Sequence, residues 1–197
     1  AGKTPAAAVK STAEEAEPGI LAAPRRRALP GRSLPVRLLE EVSYRVAWVT
    51  AGLALLLTIC VIGSLLLQVF FRYVLDAPLA WTDEAAIFFF AWLMLLLATI
   101  GVRERTHVRF TFIVNSLPKV LFGLLDMLIM ALITAFGVIL VMTGSELLDL
   151  VWGNLSPAVH YPLQALYVVL PIVGGLIVLH GATNLLIGPS GLRRDDP

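Results

Sequence analysis

Ionisable side chains stand at the ends of long apolar runs in this sequence, and their types limit the chemistry that they can do. Arg72 closes one apolar run, and Asp83 and Glu84 open the next one. If the two runs form a hairpin, Arg72 and Glu84 reach the same depth in a membrane, where a guanidinium and a carboxylate pair with each other or with a partner protein. A carboxylate in the first turn of a helix is equally well explained by its attraction to the helix dipole.

A second set of ionisable residues belongs to the later runs. The second run ends at a basic patch, formed by Arg103, Arg105 and His107. Asp126 lies inside the third run, where a carboxylate costs about 2.5–3.5 kcal/mol on insertion scales and therefore needs a hydrogen-bond donor. Counting along antiparallel helices places His180 at a similar depth, which predicts an Asp126–His180 pair. Lys119 or a group on a partner protein is an equally good partner for Asp126.

The three histidines need a separate test, because paired histidines in a four-helix membrane bundle can bind haem. His160 lies between the third and fourth apolar runs, His180 lies near the far end of the fourth, and His107 lies in the basic patch. These positions bring no two histidines into one layer of a bundle. The sequence contains one cysteine and no metalloprotease, phosphate-loop or hydrolase motif. We expect neither an enzyme nor a cofactor; the alternative left open is a membrane anchor subunit of a haem or quinone redox enzyme.

The composition is that of an integral membrane protein. Hydrophobic residues make up 58% and charged residues 15% of the 197 residues, and the mean hydropathy is +0.84, whereas soluble domains are about 45–50% apolar. Four runs are long enough to cross a hydrocarbon core of about 30 Å. The sequence therefore predicts an all-α integral membrane protein with four transmembrane helices, at about residues 46–71, 85–102, 120–142 and 162–187.

The segments outside the four runs differ from one another in character. Residues 1–33 are rich in Ala, Pro, Arg and Glu without apolar periodicity, which predicts a disordered tail, and residues 189–197 form a second tail. In residues 34–46 apolar positions recur every fourth residue, and the other faces carry Arg37, Glu40, Glu41 and Arg45. This pattern predicts a short amphipathic segment at the membrane interface; a helical extension of the first span is nearly as good an interpretation. The membrane domain then covers residues 34–188.

Lysine and arginine are distributed asymmetrically along the chain. Apart from Arg72, all of them lie in the N-terminal part up to Arg45, in the 103–119 segment or in the C-terminal tail. Because cytoplasmic segments carry the excess of Lys and Arg, both termini are predicted to be cytoplasmic. The arginines near the N-terminus are better explained by contact with the lipid bilayer than by nucleic-acid binding.

In this order of features the chain resembles the small membrane subunit, of the DctQ type, of tripartite ATP-independent periplasmic (TRAP) transporters. The resemblance runs from about Arg45 to Gly188. It is carried by an ordered series of residues: Arg72, Tyr73, Pro78, Trp81, Asp83, Glu84, Trp92, Gly101, Arg103, Arg105, His107, Leu117, Pro118, Ser156, Pro157, Pro162, Tyr167 and Pro171. Gln68 and Thr111 depart from the family, which commonly has Asn and Asp at these positions.

The resemblance implies a protein of the bacterial inner membrane that acts with a large membrane subunit, which carries the substrate and sodium sites, and with a periplasmic substrate-binding protein. Such complexes import organic acids, such as C4-dicarboxylates or sialic acid, with a sodium gradient. The small subunit is then a scaffold, which agrees with the scarcity of polar residues in the four runs. Structural or partner-contact roles are expected for Arg72, Tyr73, Trp81, Asp83, Glu84, Arg103, Arg105, His107, Asp126 and His180.

Overall fold

The computed structural model describes residues 24, 27, 31, 33–77, 79–105 and 119–188. Helices form most of the described chain: α1 (Leu34–Tyr73), α2 (Ala80–Glu104), α3 (Lys119–Leu150), α4 (Gln164–Tyr167) and α5 (Val169–Ile187). Four described stretches are long and apolar enough to cross a membrane, namely Leu34–Tyr73, Ala80–Glu104, Gly123–Leu150 and Gln164–Ile187. This confirms the predicted all-α membrane protein with four spans. Of the predicted tails, 1–33 and 189–197, the structure describes only Pro24, Arg27, Gly31 and Ser33.

Helix α1 begins well before the predicted first span. Its 40 residues extend over about 60 Å, twice the thickness of a hydrocarbon core. Pro35 lies in the first turn, where its missing N–H costs no helical hydrogen bond, and no proline or glycine follows until Gly52. The segment 34–46 is therefore a helical extension of the first span, as in the second of the two interpretations, and its location at the membrane interface stays a prediction.

Helix α3 ends later than predicted. The sequence interpretation stopped the third span before Thr143 and Ser145, but the helix continues to Leu150. The hydroxyls of Thr143 and Ser145 donate to the carbonyl oxygens of Ile139 and Met142 at 2.8 and 2.7 Å. Because these polar side chains bond to the backbone of their own helix, they do not end it.

The fourth span consists of α4 and α5, joined at Val168. This residue has helical backbone angles and lies at the end of α4 and the start of α5. Pro171 lies in the first turn of α5, where it has no helical N–H to lose. The fourth span therefore has a joint at Val168, just before Pro171.

The helices pack as two pairs, α1 with α2 and α3 with α5, and contacts between α2 and α5 join the pairs. The core between them is apolar and includes Leu57, Leu93, Leu96, Val173 and Ile177. Helices α3 and α5 approach most closely at glycines, since a Cβ on Gly174 would lie 2.8 Å from the carbonyl oxygen of Gly137 and 2.8 Å from the nitrogen of Val141. Small residues at such contacts let membrane helices come close together.

The outward faces of α1 and α3 are strongly apolar. Large side chains on these faces are more than half exposed, among them Leu55, Ile59, Leu66, Leu128 and Phe136. In a membrane these faces meet lipid or another subunit. The polar contacts that could have a specific function lie at the two ends of the bundle.

Candidate functional site

Buried polar side chains gather at one end of the bundle, where α2 and α5 end and α1 and α3 begin. We call this group the charged cluster; its members are Arg27, Glu40, Ser43, Arg103, Arg105, Asp126, His180 and Asn184. All of them except Arg27 are at most 6% exposed. Charges that are removed from water to this extent need partners, and the structure supplies them from other helices.

Arg103 joins α2 to α1 within the charged cluster. Its Nη2 donates to Oε1 of Glu40 at 2.8 Å, and its Nη1 donates to Oε1 of Glu104 at 2.6 Å. The guanidinium also lies 5.6 Å from the centre of the Tyr44 ring, within the range of a cation–π contact. Arg103 follows directly after the predicted second span, 85–102, but in the structure it belongs to the last turn of α2, with its side chain 1% exposed.

Arg105 joins α2 to both helices of the second pair. The residue ends α2 in the left-handed conformation, with φ of 55°, and its side chain turns back into the bundle. Nη1 donates to Oδ2 of Asp126 at 2.9 Å, and Nη2 donates to the carbonyl oxygens of Asn184 at 2.6 Å and Gly188 at 3.3 Å. The guanidinium therefore pairs with the carboxylate of α3 and caps the carbonyl end of α5, where a positive charge is favourable.

The predicted Asp126–His180 pair is wrong. Asp126 pairs with Arg105, whereas Nδ1 of His180 lies 2.8 Å from the hydroxyl oxygen of Ser43. The left-handed turn at the end of α2 returns the Arg105 side chain to the bundle and brings it to Asp126, whereas depth along α3 and α5 depends on those two helices alone. A carboxylate forms a stronger, charge-assisted hydrogen bond with a guanidinium than with a neutral imidazole. The side chain of the alternative partner, Lys119, lies outside the described side chains.

At the opposite end of the bundle, Glu84 fixes the loop between α3 and α4. Its Oε2 accepts hydrogen bonds from the Ser156 hydroxyl at 2.8 Å and the Val159 N–H at 2.9 Å, and its Oε1 accepts one from the Ala158 N–H at 2.7 Å. We call this arrangement the Glu84 cap. A carboxylate that binds successive N–H groups determines the path of the backbone, so the loop has a defined shape.

The backbone of residues 151–163 supports the Glu84 cap. Its hydrogen bonds run from the Ser156 N–H to the Tyr161 oxygen at 2.9 Å and from the Leu163 N–H to the Asn154 oxygen at 3.0 Å. The ring of Tyr161 stacks edge-on against Phe88 of α2, with the ring centres 5.5 Å apart. The loop is therefore fixed to α2 by an aromatic contact as well as by Glu84.

The predicted pairing of Arg72 with Glu84 within this chain is also wrong. All the contacts of Glu84 given above come from the 156–159 segment, while the guanidinium of Arg72 lies exposed, 6.0 Å from the Tyr73 ring. The hairpin does bring the two helix ends together, but a different pair joins them, since Gln68 of α1 donates to the carboxylate of Asp83 in α2. Backbone N–H groups close to Glu84 meet its need for donors, and a guanidinium is not required.

The remaining candidates occupy different environments. Tyr73 and Trp81 are 77% and 44% exposed at the end of the bundle that carries the Glu84 cap. His107 lies outside the described residues. His160 lies in the loop beside the Glu84 cap and His180 lies in the charged cluster, so these two histidines stand at opposite ends of the bundle, as predicted.

Glu40 of α1 belongs to the charged cluster, although the apolar pattern of residues 34–46 predicts that it lies on another face of the helix. Glu40 was placed away from the apolar positions, yet it is 4% exposed. The buried face of α1 can be recognised in the sequence by small and polar residues that recur at spacings of three and four and end at a leucine. These residues are Glu40, Ser43, Ala47, Thr50, Ala54 and Leu57. Small residues on one stripe mark a close helix contact in a membrane more reliably than large apolar residues do, because large ones also face lipid.

Comparison with known proteins identifies the family. The model of the family described as "Tripartite ATP-independent periplasmic transporters, DctQ component" matches residues 61–188, from the second half of α1 to the end of α5. The sialic acid TRAP transporter permease protein SiaT of Haemophilus influenzae (strain 86-028NP) is 33% identical over 63 residues, which are 32% of this chain and 10% of that protein.

A second relative has a similar level of identity. The C4-dicarboxylate TRAP transporter small permease protein DctQ of Vibrio cholerae serotype O1 (strain ATCC 39315 / El Tor Inaba N16961) is 30% identical over 73 residues, which are 37% of this chain and 32% of that protein. Each alignment thus spans about a third or less of the relative. The resemblance seen in the sequence is confirmed by the family match, which covers more than half of the chain: the protein belongs to the DctQ component family of tripartite ATP-independent periplasmic transporters.

Proposed function

We propose that this chain is the small membrane subunit of a binding-protein-dependent importer that takes up an organic acid with a sodium gradient. Its partners in this proposal are a large membrane subunit and a periplasmic substrate-binding protein. The family match over residues 61–188 supports this assignment. The names of the two relatives, a permease for sialic acid and a small permease for C4-dicarboxylates, indicate that the substrate is a carboxylate.

Within the transporter, this chain acts as a scaffold. The observation that carries this part of the proposal is the pairing of its buried charges: Arg103 binds Glu40 and Glu104, and Arg105 binds Asp126. Between the two ends, the described core consists mainly of side chains such as Leu93, Leu96 and Ile177. A solute or sodium ion crossing the bundle would need polar groups at the membrane midplane, so the transport path is assigned to the large subunit.

The orientation that best fits the charges places the charged cluster at the cytoplasmic side of the bacterial inner membrane. The segments next to this cluster contain the basic residues of the 103–119 region and of both tails, and positively charged segments remain in the cytoplasm. The Glu84 cap then faces the periplasm. Its neighbours Arg72, Tyr73 and Trp81 are exposed there and form a candidate contact surface for the other two components.

Reconstitution in proteoliposomes tests the proposed function. Uptake of radiolabelled sialic acid or a C4-dicarboxylate is expected only when this chain, the large subunit, the binding protein and an inward sodium gradient are all present. Vesicles that lack this chain and vesicles with a collapsed gradient are the controls. Saturable uptake by this chain alone, or undiminished uptake without it, would contradict the scaffold function.

The candidate contact surface has its own test. Arg72→Ala is expected to lower the yield of large subunit that co-purifies with this chain, because Arg72 is exposed and its nearest described partner is the Tyr73 ring. Arg45→Ala is the matched control, since Arg45 is an exposed arginine of the same helix at its other end. Equal yields for the two variants would show that Arg72 is not part of the contact surface.

A further inference from the structure

The loop between α3 and α4 exposes large apolar side chains. We call residues 151–163 the end loop. Trp152 is 76% exposed, and Leu155 and Val159 are exposed as well. Leu150, which ends α3 directly before the loop, is also exposed. Because burial of apolar surface is the main favourable term in folding, these four side chains contribute little to the stability of this chain by itself. Apolar groups exposed together in this way are typical of an interaction surface.

The backbone of the end loop is fixed at several points. The Glu84 cap binds residues 156–159, and Leu155 forms an antiparallel bridge with Pro162. These contacts order the backbone of the loop and leave the side chain of Trp152 exposed. A surface that is ordered in advance loses little conformational entropy when a partner binds. The end loop therefore presents its apolar side chains in a fixed arrangement.

The end loop lies beyond the hydrocarbon core of the membrane. The stretch of α3 from Asp126, in the charged cluster, to Leu150 is about 36 Å long, whereas the hydrocarbon core is about 30 Å thick. Glu146 and Asp149, near the end of α3, are exposed, and a carboxylate that faces lipid tails is costly. The end loop follows these carboxylates in the chain, so it is placed where a soluble protein can reach it.

The charged residues at this end of the bundle are mostly acidic. Residues 72–84 and 143–163 contain five carboxylates, one guanidinium and one histidine, which leaves a net charge of −4 when the histidine is neutral. These residues are Asp76, Asp83, Glu84, Glu146, Asp149, Arg72 and His160. Such a surface repels anionic lipid headgroups and attracts a protein face that carries lysine and arginine. The charge therefore favours a basic protein partner over lipid.

We propose that the end loop is a docking site for the soluble substrate-binding protein, with Trp152 as its central apolar contact. The partner's face is expected to hold an apolar depression for the indole ring, rimmed by basic side chains that meet Glu146 and Asp149. Tryptophans that become buried at the centre of an interface commonly carry much of its binding energy. This inference rests on the proposed function, which supplies a soluble partner. The large subunit is expected to meet the apolar flanks of the bundle instead.

A binding measurement with the assembled membrane complex tests this docking site. This chain and the large subunit are placed together in nanodiscs, and the transporter's own substrate-binding protein, purified and labelled with a fluorophore, is titrated onto them. Trp152→Ala is expected to raise the Kd at least about tenfold, as the loss of a central interface tryptophan does. The yield of large subunit that co-purifies with this chain should not change.

Trp48→Ala is the matched control for Trp152→Ala. Trp48 is an exposed tryptophan of α1, and its ring lies 6.5 Å from that of Tyr44, which contacts Arg103 of the charged cluster. It therefore belongs to the opposite end of the bundle. Trp48→Ala should leave the Kd for the binding protein unchanged.

The dependence of the Kd on salt tests the acidic rim. Salt screens attraction between exposed charges, so the Kd of the wild-type complex should rise with the salt concentration. The double variant Glu146→Gln, Asp149→Asn should bind more weakly at low salt and show a smaller rise. A Kd that does not depend on salt would contradict the basic partner face.

Three other results would overturn the docking site. The first is an unchanged Kd for Trp152→Ala. The second is a lower yield of co-purified large subunit with an unchanged Kd, which would assign Trp152 to the large subunit. The third is quenching of Trp152 fluorescence by brominated lipids, read as the difference between the wild type and Trp152→Phe, which would assign it to lipid.

The wild-type complex separates a failure of this inference from a failure of the proposed function. If the wild-type complex binds the substrate-binding protein and imports substrate while Trp152→Ala behaves identically, only the docking site is wrong. If the wild-type complex neither binds this protein nor imports substrate, the proposed function is wrong, and the docking site is wrong with it.

Discussion

The two ends of this bundle bind their carboxylates in different ways. In the charged cluster, Glu40 and Asp126 pair with guanidinium groups from another helix, across 63 and 21 residues of sequence. In the Glu84 cap, a single carboxylate binds a hydroxyl and two backbone N–H groups of one short segment. Each end of the bundle supplies hydrogen-bond donors to a carboxylate, but only in the charged cluster do these bonds join helices to one another.

This difference predicts different consequences when each end is broken. The ion pairs of the charged cluster are almost completely buried, with the side chains of Arg103 and Glu40 1% and 5% exposed, so a single deletion leaves a charge without compensation in a dry environment. Glu84 lies closer to solvent, and water can replace its partners. We therefore expect global destabilisation at the charged cluster and local loosening at the Glu84 cap.

The largest effect is expected for Arg105→Ala. The substitution removes the partner of Asp126 and the donor to the carbonyl groups of Asn184 and Gly188. Leaving a buried carboxylate unpaired costs about 3–5 kcal/mol, which denaturant titration in mixed micelles can measure. Arg45→Ala is the control: the Arg45–Glu41 pair is exposed and spans one helical turn, and such pairs contribute about 0.3–0.5 kcal/mol.

A double substitution sharpens this test. In the Arg105→Ala background, Asp126→Leu should cost less than it does alone, since the two residues act as one pair. Asp126→Asn should keep most uptake in the assembled transporter if the carboxylate has a structural role. Additive losses for Arg105 and Asp126, or normal assembly with abolished uptake for Asp126→Asn, would contradict the assignment of the pair to stability.

A loss of stability of intermediate size is expected for Gly174→Ala, between the two ends of the bundle. There α3 and α5 are in contact through their backbones and not through charged side chains. Gly174→Ala places a methyl group 2.8 Å from the backbone atoms of Gly137 and Val141, and overpacking of this kind costs about 1–3 kcal/mol. The adjacent Gly175→Ala has nothing within 4 Å of the new methyl group, so it should be neutral or stabilising in a helix. Equal stabilities of the two variants, measured by the same titration, would show that α3 and α5 do not pack at Gly174.

The smallest and most local effect is expected for Glu84→Gln. The neutral amide oxygen is a weaker acceptor for the N–H groups of Ala158 and Val159, so hydrogen exchange of these two amides should accelerate while that of the α2 core does not. Because Arg72 and Glu84 do not pair, the combined variant with Arg72→Ala should show additive effects on stability. Strong coupling between Arg72 and Glu84 would contradict this prediction. So would a destabilisation by Glu84→Gln as large as that by Arg105→Ala, since the two ends would then not differ.

The number and order of the spans could be predicted from the sequence because they depend on local properties. The length of an apolar run decides whether a helix can cross a bilayer, and every run in this chain meets that condition by itself. The same local information identified Asp126 as a residue in need of a partner, since a charge within an apolar run is costly wherever its partner lies. Arg103 and Arg105 were recognised only as a basic patch at the end of the second run. The family resemblance likewise rests on residues in a fixed order along the chain.

Which residues form pairs was decided by the tertiary structure. Asp126 binds Arg105 rather than His180 because the left-handed residue at the end of α2 turns a side chain back between helices. Glu84 binds the 156–159 segment rather than Arg72 because a loop more than seventy residues later folds over the end of α2. Arg27 reaches Asn184 across 157 residues. A charge in an apolar sequence reveals that a partner is required, but the identity of that partner depends on which donors the packed helices bring within about 3 Å.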